Sequence, residues 1–260
     1  MGVIVAMPAT SDRHGNGLDR IDRVLVQRGY FSSRAAAQAA IAADRVRVNG
    51  VMIAKASEKV AANADISAEP AHPYVSRAGL KLAHALDQFG IDPAGQHCLD
   101  IGASTGGFSQ VLLLNNALSV TAIDVGHGQL HPSLAEDDRL RSFEKLDARN
   151  LQSHHFMAPP SLLVCDASFI SLSKLLAVPL SLARKDAVLI ALFKPQFEVG
   201  RGAVGKGGIV SDQLAIERAQ TDFKTWLQSS GWELLQTSPS PISGGDGNRE
   251  TLMLARRLPE

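Results

Sequence analysis

The sequence predicts an α/β protein in two parts: a small basic α+β domain, then a larger domain built on a mostly parallel sheet. From residue 76 onward, short apolar runs alternate with helical stretches, which is typical of a parallel sheet covered by helices on both faces. Basic residues are concentrated between residues 20 and 59, and two prolines within residues 61–75 indicate a linker. At 260 residues, the chain is long enough for both parts.

The period of the apolar residues predicts each element of the larger domain. Short apolar runs bounded by turn residues predict strands, whereas longer stretches with apolar residues three and four apart predict helices. The last two strands follow each other without a helix, so the sheet should end in an antiparallel hairpin. The predicted strands cover residues 97–103, 119–124, 161–166, 186–193, 232–240 and 250–257, with a weaker one at 141–147, and the helices cover 78–88, 107–116, 170–183 and 212–229.

The overall composition is that of an ordinary globular protein, with 45% hydrophobic and 20% charged residues and a formal net charge of zero. Residues 1–18 lack the basic start of an export signal, and their short apolar stretch is followed at once by a polar run, so we interpret them as a disordered tail without an export function. No apolar run reaches the ~18 residues of a membrane span, so we expect a soluble, cytoplasmic protein without a membrane partner. No metal is expected either, because Cys98, Cys165, His127 and His131 lack a metal-ligand arrangement.

The segment from Arg20 to Lys59 is strongly basic. It holds eight basic residues against three acidic ones, a net charge of +5 inside a neutral protein. Apolar residues at helical spacing end at Gly29, Ser33 is placed to cap a second helix, and Asn49-Gly50 predicts a hairpin turn. Two short helices followed by a small hairpin make a compact unit.

This segment resembles the S4-type RNA-binding domain in Arg20-Ile21-Asp22, Ser33-Arg34-Ala35 and the run from Arg45 to Gly50. The resemblance implies a surface that binds folded RNA, and arginine side chains suit phosphate because they bind it through two hydrogen bonds. A solvated basic face without a partner is the alternative. The candidate RNA contacts are Arg20, Arg23, Arg34, Arg45, Arg47 and Lys55.

A glycine-rich turn follows the first strand of the larger domain. A strand that runs into glycines and then a helix is a general nucleotide-binding arrangement. The spacing from Gly102 to Gly107 is G-x-x-x-G-G, whereas a pyrophosphate-binding turn reads G-x-G-x-x-G. Asp100 suits a cationic ligand that carries an amino acid, and Asp124 ends the next strand, where it could accept hydrogen bonds from a ribose. These features favour S-adenosylmethionine and leave NAD as the alternative.

Two lysines and two carboxylates stand at positions that an α/β sheet brings together. Asp166 and Lys194 end buried strands, Glu250 opens the last strand, and Lys81 lies on the helix before the first strand. Ligands of open α/β sheets bind beyond the carboxyl ends of the strands. A hydroxyl that accepts a methyl group must be positioned and must lose its proton, which a lysine held among carboxylates could assist. Taken singly, each residue could equally form a surface ion pair.

Together, these motifs resemble the TlyA (haemolysin A) family of FtsJ-like ribosomal RNA 2′-O-methyltransferases. The likeness runs from about residue 20 to 257, most specifically in VSRAGLKL, LDIGASTGGF, DVGHGQL, FKPQFEVG and SPISGGDGNRE. It implies a Rossmann-like, seven-stranded class I methyltransferase sheet at 76–260, an S4-type domain at 19–67 and a linker at 68–75. It also implies S-adenosylmethionine as the cofactor. The implied targets are cytidines of ribosomal RNA within ribosomal subunits.

The resemblance carries roles onto individual residues. Lys81, Asp166, Lys194 and Glu250 match the catalytic residues. Ala78 replaces a usual glycine, Asp147 replaces a common asparagine, and the stretch after Leu130 lacks a usual basic residue. An RNA-binding assembly factor or a haemolysin are the alternatives. The predicted donor contacts are Asp100, Gly102, Ser104, Gly106, Gly107, Phe108, Asp124 and Asp147, and further RNA contacts are Arg77, Arg201 and Lys206.

Overall fold

A computed structural model of the chain describes residues 17–31, 33–61 and 63–259. Contacts divide the chain into a small unit, Met1–Pro73, and a large unit, Tyr74–Glu260. Most of the tail predicted at 1–18 lies outside the described residues. Among the helices of the described residues, none combines the length and apolarity needed to cross a membrane.

The stretch between the two units is shorter than the linker predicted at 68–75. Ala68 still belongs to a strand of the small unit. Tyr74 already packs on the large unit, since a Cβ at Gly79 would lie 2.5 Å from its ring. The Val75 N–H donates a 2.7 Å hydrogen bond to the Gln110 side chain. The second contact joins residues 35 positions apart, which the local composition does not reveal.

The small unit forms the predicted helices and hairpin. Gly29 has a φ of 75° just beyond the first helix, and Ser33 caps the second by accepting a 3.2 Å hydrogen bond from the Ala36 N–H. Asn49 and Gly50 both have positive φ, as a tight hairpin turn requires. A pairing of the first and fourth strands was not predicted. The elements are β1 (Leu18–Arg20), α1 (Ile21–Gln27), α2 (Arg34–Ala42), β2 (Val46–Val48), β3 (Val51–Met52), β4 (Lys59–Ala61) and β5 (Ile66–Ala68).

Asp22 organises the basic side of the small unit. Its carboxylate is fully buried and accepts hydrogen bonds from Arg20 at 3.1 Å, Arg34 at 2.8 Å and Gln38 at 2.8 Å. The hydrogen bonds from Arg20, the largest cause, lower the pKa of Asp22 well below its ordinary range. The Arg20 and Arg34 side chains remain 39% and 50% exposed. Both guanidinium groups are therefore held in place with part of their surface open to solvent.

We expect Asp22→Asn to lower the free energy of unfolding of the small unit by about 1.5–3 kcal/mol near neutral pH, since an amide nitrogen would oppose the arginine donors. A lowered pKa stabilises the fold above the ordinary value of about 3.9, and this stabilisation is lost as pH falls through the folded-state pKa. The difference in free energy of unfolding between wild type and variant, measured by urea denaturation, should therefore shrink as the pH is lowered. The exposed Asp65→Asn serves as control. A difference in free energy of unfolding that stays constant down to low pH would contradict the prediction.

The large unit contains every helix and strand that the sequence predicts from residue 76 onward, with boundaries that agree or differ by at most three residues. The α/β fold class is confirmed. Its helices are α3 (Ala78–Phe89), α4 (Gly107–Leu114), α5 (Leu172–Leu182), α6 (Pro195–Glu198) and α7 (Gln213–Ser229), and its strands are β6 (His97–Ile101), β7 (Ser119–Asp124), β8 (Leu140–Glu144), β9 (Leu162–Cys165), β10 (Val188–Phe193), β11 (Trp232–Pro239) and β12 (Thr251–Arg257).

Within the described residues, these strands form one seven-stranded sheet in the order β11–β12–β10–β9–β6–β7–β8. Strands β6 to β10 run parallel, whereas β12 is antiparallel to both β10 and β11, which confirms the predicted terminal hairpin. Two hydrophobic clusters cover the sheet: one includes residues of α3 and α4, the other residues of α5 and α7. Alternate side chains of β10 enter different clusters, since Ile190 joins the first and Leu189 the second. The carboxyl ends of the parallel strands meet along one edge.

Candidate active site

Two cavities lie side by side at this edge of the sheet. The first cavity, of about 550 Å³, is bounded by the start of α3, the glycine turn after β6 and the residues that follow β9 and β10. The second cavity, of about 540 Å³, lies over the ends of β6 and β7. Gly102, Ser104, Asp166, Ser168 and Phe169 contribute to the walls of both. The two cavities are therefore adjacent, and ligands bound in them would lie close to each other.

The first cavity holds the lysine–carboxylate cluster, which consists of Lys81, Asp166, Lys194 and Glu250. Lys194 Nζ lies 2.6 Å from Asp166 Oδ1 and donates a 3.0 Å hydrogen bond to Ser168 Oγ. Lys81 Nζ pairs with Glu250 Oε2. The sequence placed all four residues near one edge of the sheet, and the structure brings them into one cavity wall as two ion pairs.

These ion pairs are largely shielded from water. Lys81 and Lys194 are each 7% exposed, and Glu250 is 5% exposed. Burial raises the pKa of Glu250, although its hydrogen bond from Lys81 acts in the opposite direction. Charges held in such a site interact more strongly with each other and with a bound ligand than they would in water. The cluster can thus hold a polar group of a ligand in a defined position.

The second cavity combines two carboxylates with apolar walls. Asp124 Oδ2 accepts a 2.8 Å hydrogen bond from the Ser104 N–H, and Oδ1 accepts a 2.7 Å one from the Gly126 N–H. Asp147 is bound by Arg149, whose hydrogen bonds lower its pKa. Ile101 and Ile123 add apolar surface. Such a lining suits a ligand with both an apolar ring and hydroxyl or amino donors.

The glycines of the turn have different roles in the structure. Gly102 has a φ of 80°, and a Cβ there would lie 2.9 Å from the Ala167 backbone, so the turn can pass between the cavities only as glycine. Gly106, with a φ of 89°, and Gly107 are absent from both cavity walls and instead allow close packing against Leu134 and Ser76. Phe108 lines the first cavity rather than the second.

Asp100 lies behind the turn, with no surface on either cavity. Its side chain is fully buried in the central strand β6, and Oδ2 accepts a 2.7 Å hydrogen bond from Ser109 Oγ. Burial raises its pKa to about 7. The predicted direct contact with the donor does not match this position. Neighbouring residues of a strand point to opposite faces, and at this position the side chain faces α4 rather than the ligand edge.

The predicted RNA contacts are solvent-exposed or half-buried. In the small unit, some pair with neighbours: Arg23 lies 3.7 Å from Asp19 and Arg45 lies 3.3 Å from Glu69. In the large unit, Arg77 lines the first cavity. The remaining positions are Arg47 on β2, Lys55 after β3, and Arg201 and Lys206 in the glycine-rich loop after α6.

Sequence reasoning missed a buried asparagine that anchors this loop. Asn248 is 2% exposed, accepts a 2.9 Å hydrogen bond from the Val210 N–H and donates one of 2.9 Å to the Gly208 carbonyl. It thereby ties the glycine-rich loop to the segment that precedes Glu250. The sequence shows only an asparagine after several glycines and not its burial, which is what makes its hydrogen-bond partners necessary.

Phe169 was also missed. Its φ is 70°, a backbone conformation that residues other than glycine rarely adopt. The residue is 90% exposed, between the two cavities. Its ring lies 5.3 Å from that of Phe197, centroid to centroid. Backbone strain of this kind concentrates at functional sites.

Comparison with known proteins agrees with the motifs. The chain matches the FtsJ-like methyltransferase family over residues 74–257 and the S4 domain over 19–66. It is 40% identical over 239 residues to the 16S/23S rRNA (cytidine-2′-O)-methyltransferase TlyA of Mycobacterium tuberculosis, which covers 91% of this chain and 89% of that relative. Hemolysin A of Brachyspira hyodysenteriae is 39% identical over 234 residues, covering 90% of this chain and 98% of that relative.

A solved structure agrees as well. A protein from Streptococcus thermophilus, described as a candidate hemolysin, has a TM-score of 0.73 and 35% identity, with coverage of 94% of this chain and 90% of that chain. The predicted resemblance is thus confirmed along almost the whole sequence. With an S4 domain at its amino end and an FtsJ-like domain behind it, the chain belongs to the TlyA family of FtsJ-like methyltransferases.

Proposed function

We propose that this protein transfers a methyl group from S-adenosylmethionine to the ribose 2′-hydroxyl of a cytidine in ribosomal RNA. The observation that carries the proposal is the buried lysine–carboxylate cluster, in a cavity that shares a wall with a second, partly apolar cavity. The name of the M. tuberculosis relative, an rRNA (cytidine-2′-O)-methyltransferase, supports the same reaction.

The second cavity fits S-adenosylmethionine. Asp124 is placed to accept hydrogen bonds from ribose hydroxyls, and Asp147 from the adenine amino group. Gly102 and Ser104 would let the donor reach the first cavity, where Phe108 forms part of the wall. Asp100 would act indirectly, by holding α4 and the turn through Ser109, while Gly106 and Gly107 would keep that turn closely packed. S-adenosylmethionine supplies an electrophilic methyl group on a sulfonium.

The cluster would prepare the 2′-hydroxyl for this reaction. Lys194 Nζ would hold the hydroxyl oxygen in line with the methyl group, and the hydroxyl proton would pass to the Lys194–Asp166 pair as the methyl group is transferred. Asp166 Oδ1, 2.6 Å away, would fix the position of Nζ. The Lys81–Glu250 pair would fix the opposite wall of the cavity and balance its charge.

The basic residues of both units would bind the RNA. Arg20 and Arg34, held by Asp22, present fixed guanidinium groups, and Arg23, Arg45, Arg47 and Lys55 add positive charge around them. In the large unit, Arg77, Arg201 and Lys206 would contact phosphates near the target. The proposed substrate is ribosomal RNA within ribosomal subunits, which would require the protein to act in the cytoplasm.

The test is to locate the transferred methyl group. Ribosomal subunits from cells that lack the gene are incubated with the protein and S-adenosylmethionine labelled in its methyl group. Nuclease digestion and mass spectrometry should find the label on the ribose of a cytidine. Label on a base would contradict the proposed role of the cluster. Lysis of cells by the purified, lipid-free protein would instead favour the haemolysin alternative.

A further inference from the structure

A third depression, the basic groove, opens beside the first cavity. It has a volume of about 660 Å³ and runs between the start of α5 and the loop after α6. The groove shares Phe169, Gln196 and Phe197 with the first cavity, so the two are continuous. Its own wall is completed by Lys174 and Arg201. None of the sites proposed above accounts for Lys174 or Phe197.

The chemistry of the groove differs from that of the first cavity. Two exposed cations, Lys174 and Arg201, lie along it, and no carboxylate is among the residues that line it. Neither cation has a carboxylate partner among the described residues. In the first cavity, by contrast, the three cations Arg77, Lys81 and Lys194 stand beside three carboxylates, those of Asp166, Asp246 and Glu250. Phosphates next to the target nucleotide would therefore be attracted to the groove, where no lining carboxylate opposes the two cations.

The groove also offers aromatic surface. Phe197 is half-buried, and its ring is tilted by 51° against that of Phe169. Aromatic rings next to cations are the combination that single-stranded nucleic acids bind, with bases stacked on the rings and phosphates on the charges. A duplex cannot present a 2′-hydroxyl deep in a cavity without local unstacking, so the target nucleotide and its neighbour should both leave the helical stack.

We infer that the basic groove binds the nucleotide next to the methylated cytidine, with its base against Phe197 and its phosphate between Lys174 and Arg201. This inference rests on the proposed function, because it needs a target ribose in the first cavity. The groove would thus be a subsite for the flanking nucleotide, and it would set the direction in which the RNA strand leaves the site.

Two single variants and a matched control test the subsite. Lys174→Gln removes one cation, Phe197→Leu removes the ring but keeps apolar volume, and Lys224→Gln removes another exposed cation, on α7. Methyl transfer to undermodified ribosomal subunits is measured against subunit concentration and salt, and the affinity for S-adenosylmethionine by calorimetry. Phe197→Leu should raise KM for the subunits about five- to hundredfold, the fold-change expected for one stacked base. Lys174→Gln should also reduce the slope of the logarithm of the binding constant against the logarithm of the salt concentration by about one, the contribution of a single phosphate contact.

Donor affinity should stay at the wild-type value in both groove variants, because neither substituted residue lies in the wall of the second cavity. Lys174→Gln, which also lies outside the wall of the first cavity, and the control variant should in addition keep the wild-type kcat at saturating subunits. Unchanged KM and salt dependence in both groove variants, in an enzyme that methylates ribose normally, would overturn the subsite and leave the proposed function intact. Failure of the wild-type protein to methylate any ribose would instead overturn the proposed function itself.

Discussion

Lys194→Ala is expected to lower kcat for methyl transfer by about 10²–10⁴, the range that a positioned proton acceptor contributes. Lys194 lies in the wall of the first cavity and not of the second, so the affinity for S-adenosylmethionine should be close to that of wild type. Single-turnover assays with labelled donor, together with donor titration by calorimetry, separate the two effects.

Loss of Lys194 also leaves Asp166 without its ion-pair partner, so folding must be checked separately. Lys194→Met keeps most of the apolar stem, and circular dichroism should show wild-type structure for it; Lys224→Ala, on the exposed face of α7, is the matched control. A Lys194 variant that is folded and still transfers methyl groups at the wild-type rate would refute the proposed mechanism. If transfer is lost but the cellular effect of the gene persists, the protein would act as an RNA-binding assembly factor.

Asp124→Asn is expected to weaken S-adenosylmethionine binding by about ten- to hundredfold, since a hydrogen bond to a charged group contributes about 1.5–3 kcal/mol. The substitution acts in two ways. The amide nitrogen could no longer accept a hydrogen bond from a ribose hydroxyl. It would also face the backbone N–H of Ser104 or of Gly126, and both of these groups donate hydrogen bonds to the Asp124 carboxylate in the wild type. The turn that carries Ser104 would lose one of its supports.

Calorimetric titration with S-adenosylmethionine measures this effect directly, and kcat at saturating donor should change much less. Asp222→Asn, which removes the same charge from an exposed position on α7, controls for the altered net charge. Equal donor affinity in the Asp124 and Asp222 variants would show that the donor does not use the second cavity.

Much of this protein could be predicted from the pattern of its residues. The apolar periods located the strands of the large sheet, and Gly29, Ser33 and Asn49-Gly50 marked the turns and caps of the small unit. These features are local: a cap, a tight turn or an amphipathic stretch depends on residues a few positions apart. The glycine turn after β6 and the polar residues at strand ends also located the site, because parallel strands place their carboxyl ends along one edge.

The sequence alone thus determined the fold class, the two-domain organisation and the edge of the sheet where the candidate site lies. Only the tertiary structure decided that Lys81 pairs with Glu250, 169 positions away, and Lys194 with Asp166. Only the tertiary structure turned Asp100 toward Ser109, bound Arg20 and Arg34 to Asp22, and opened the basic groove beside Phe197. The physical reason is that these contacts depend on strand order and side-chain direction, which bring together residues that no local period relates.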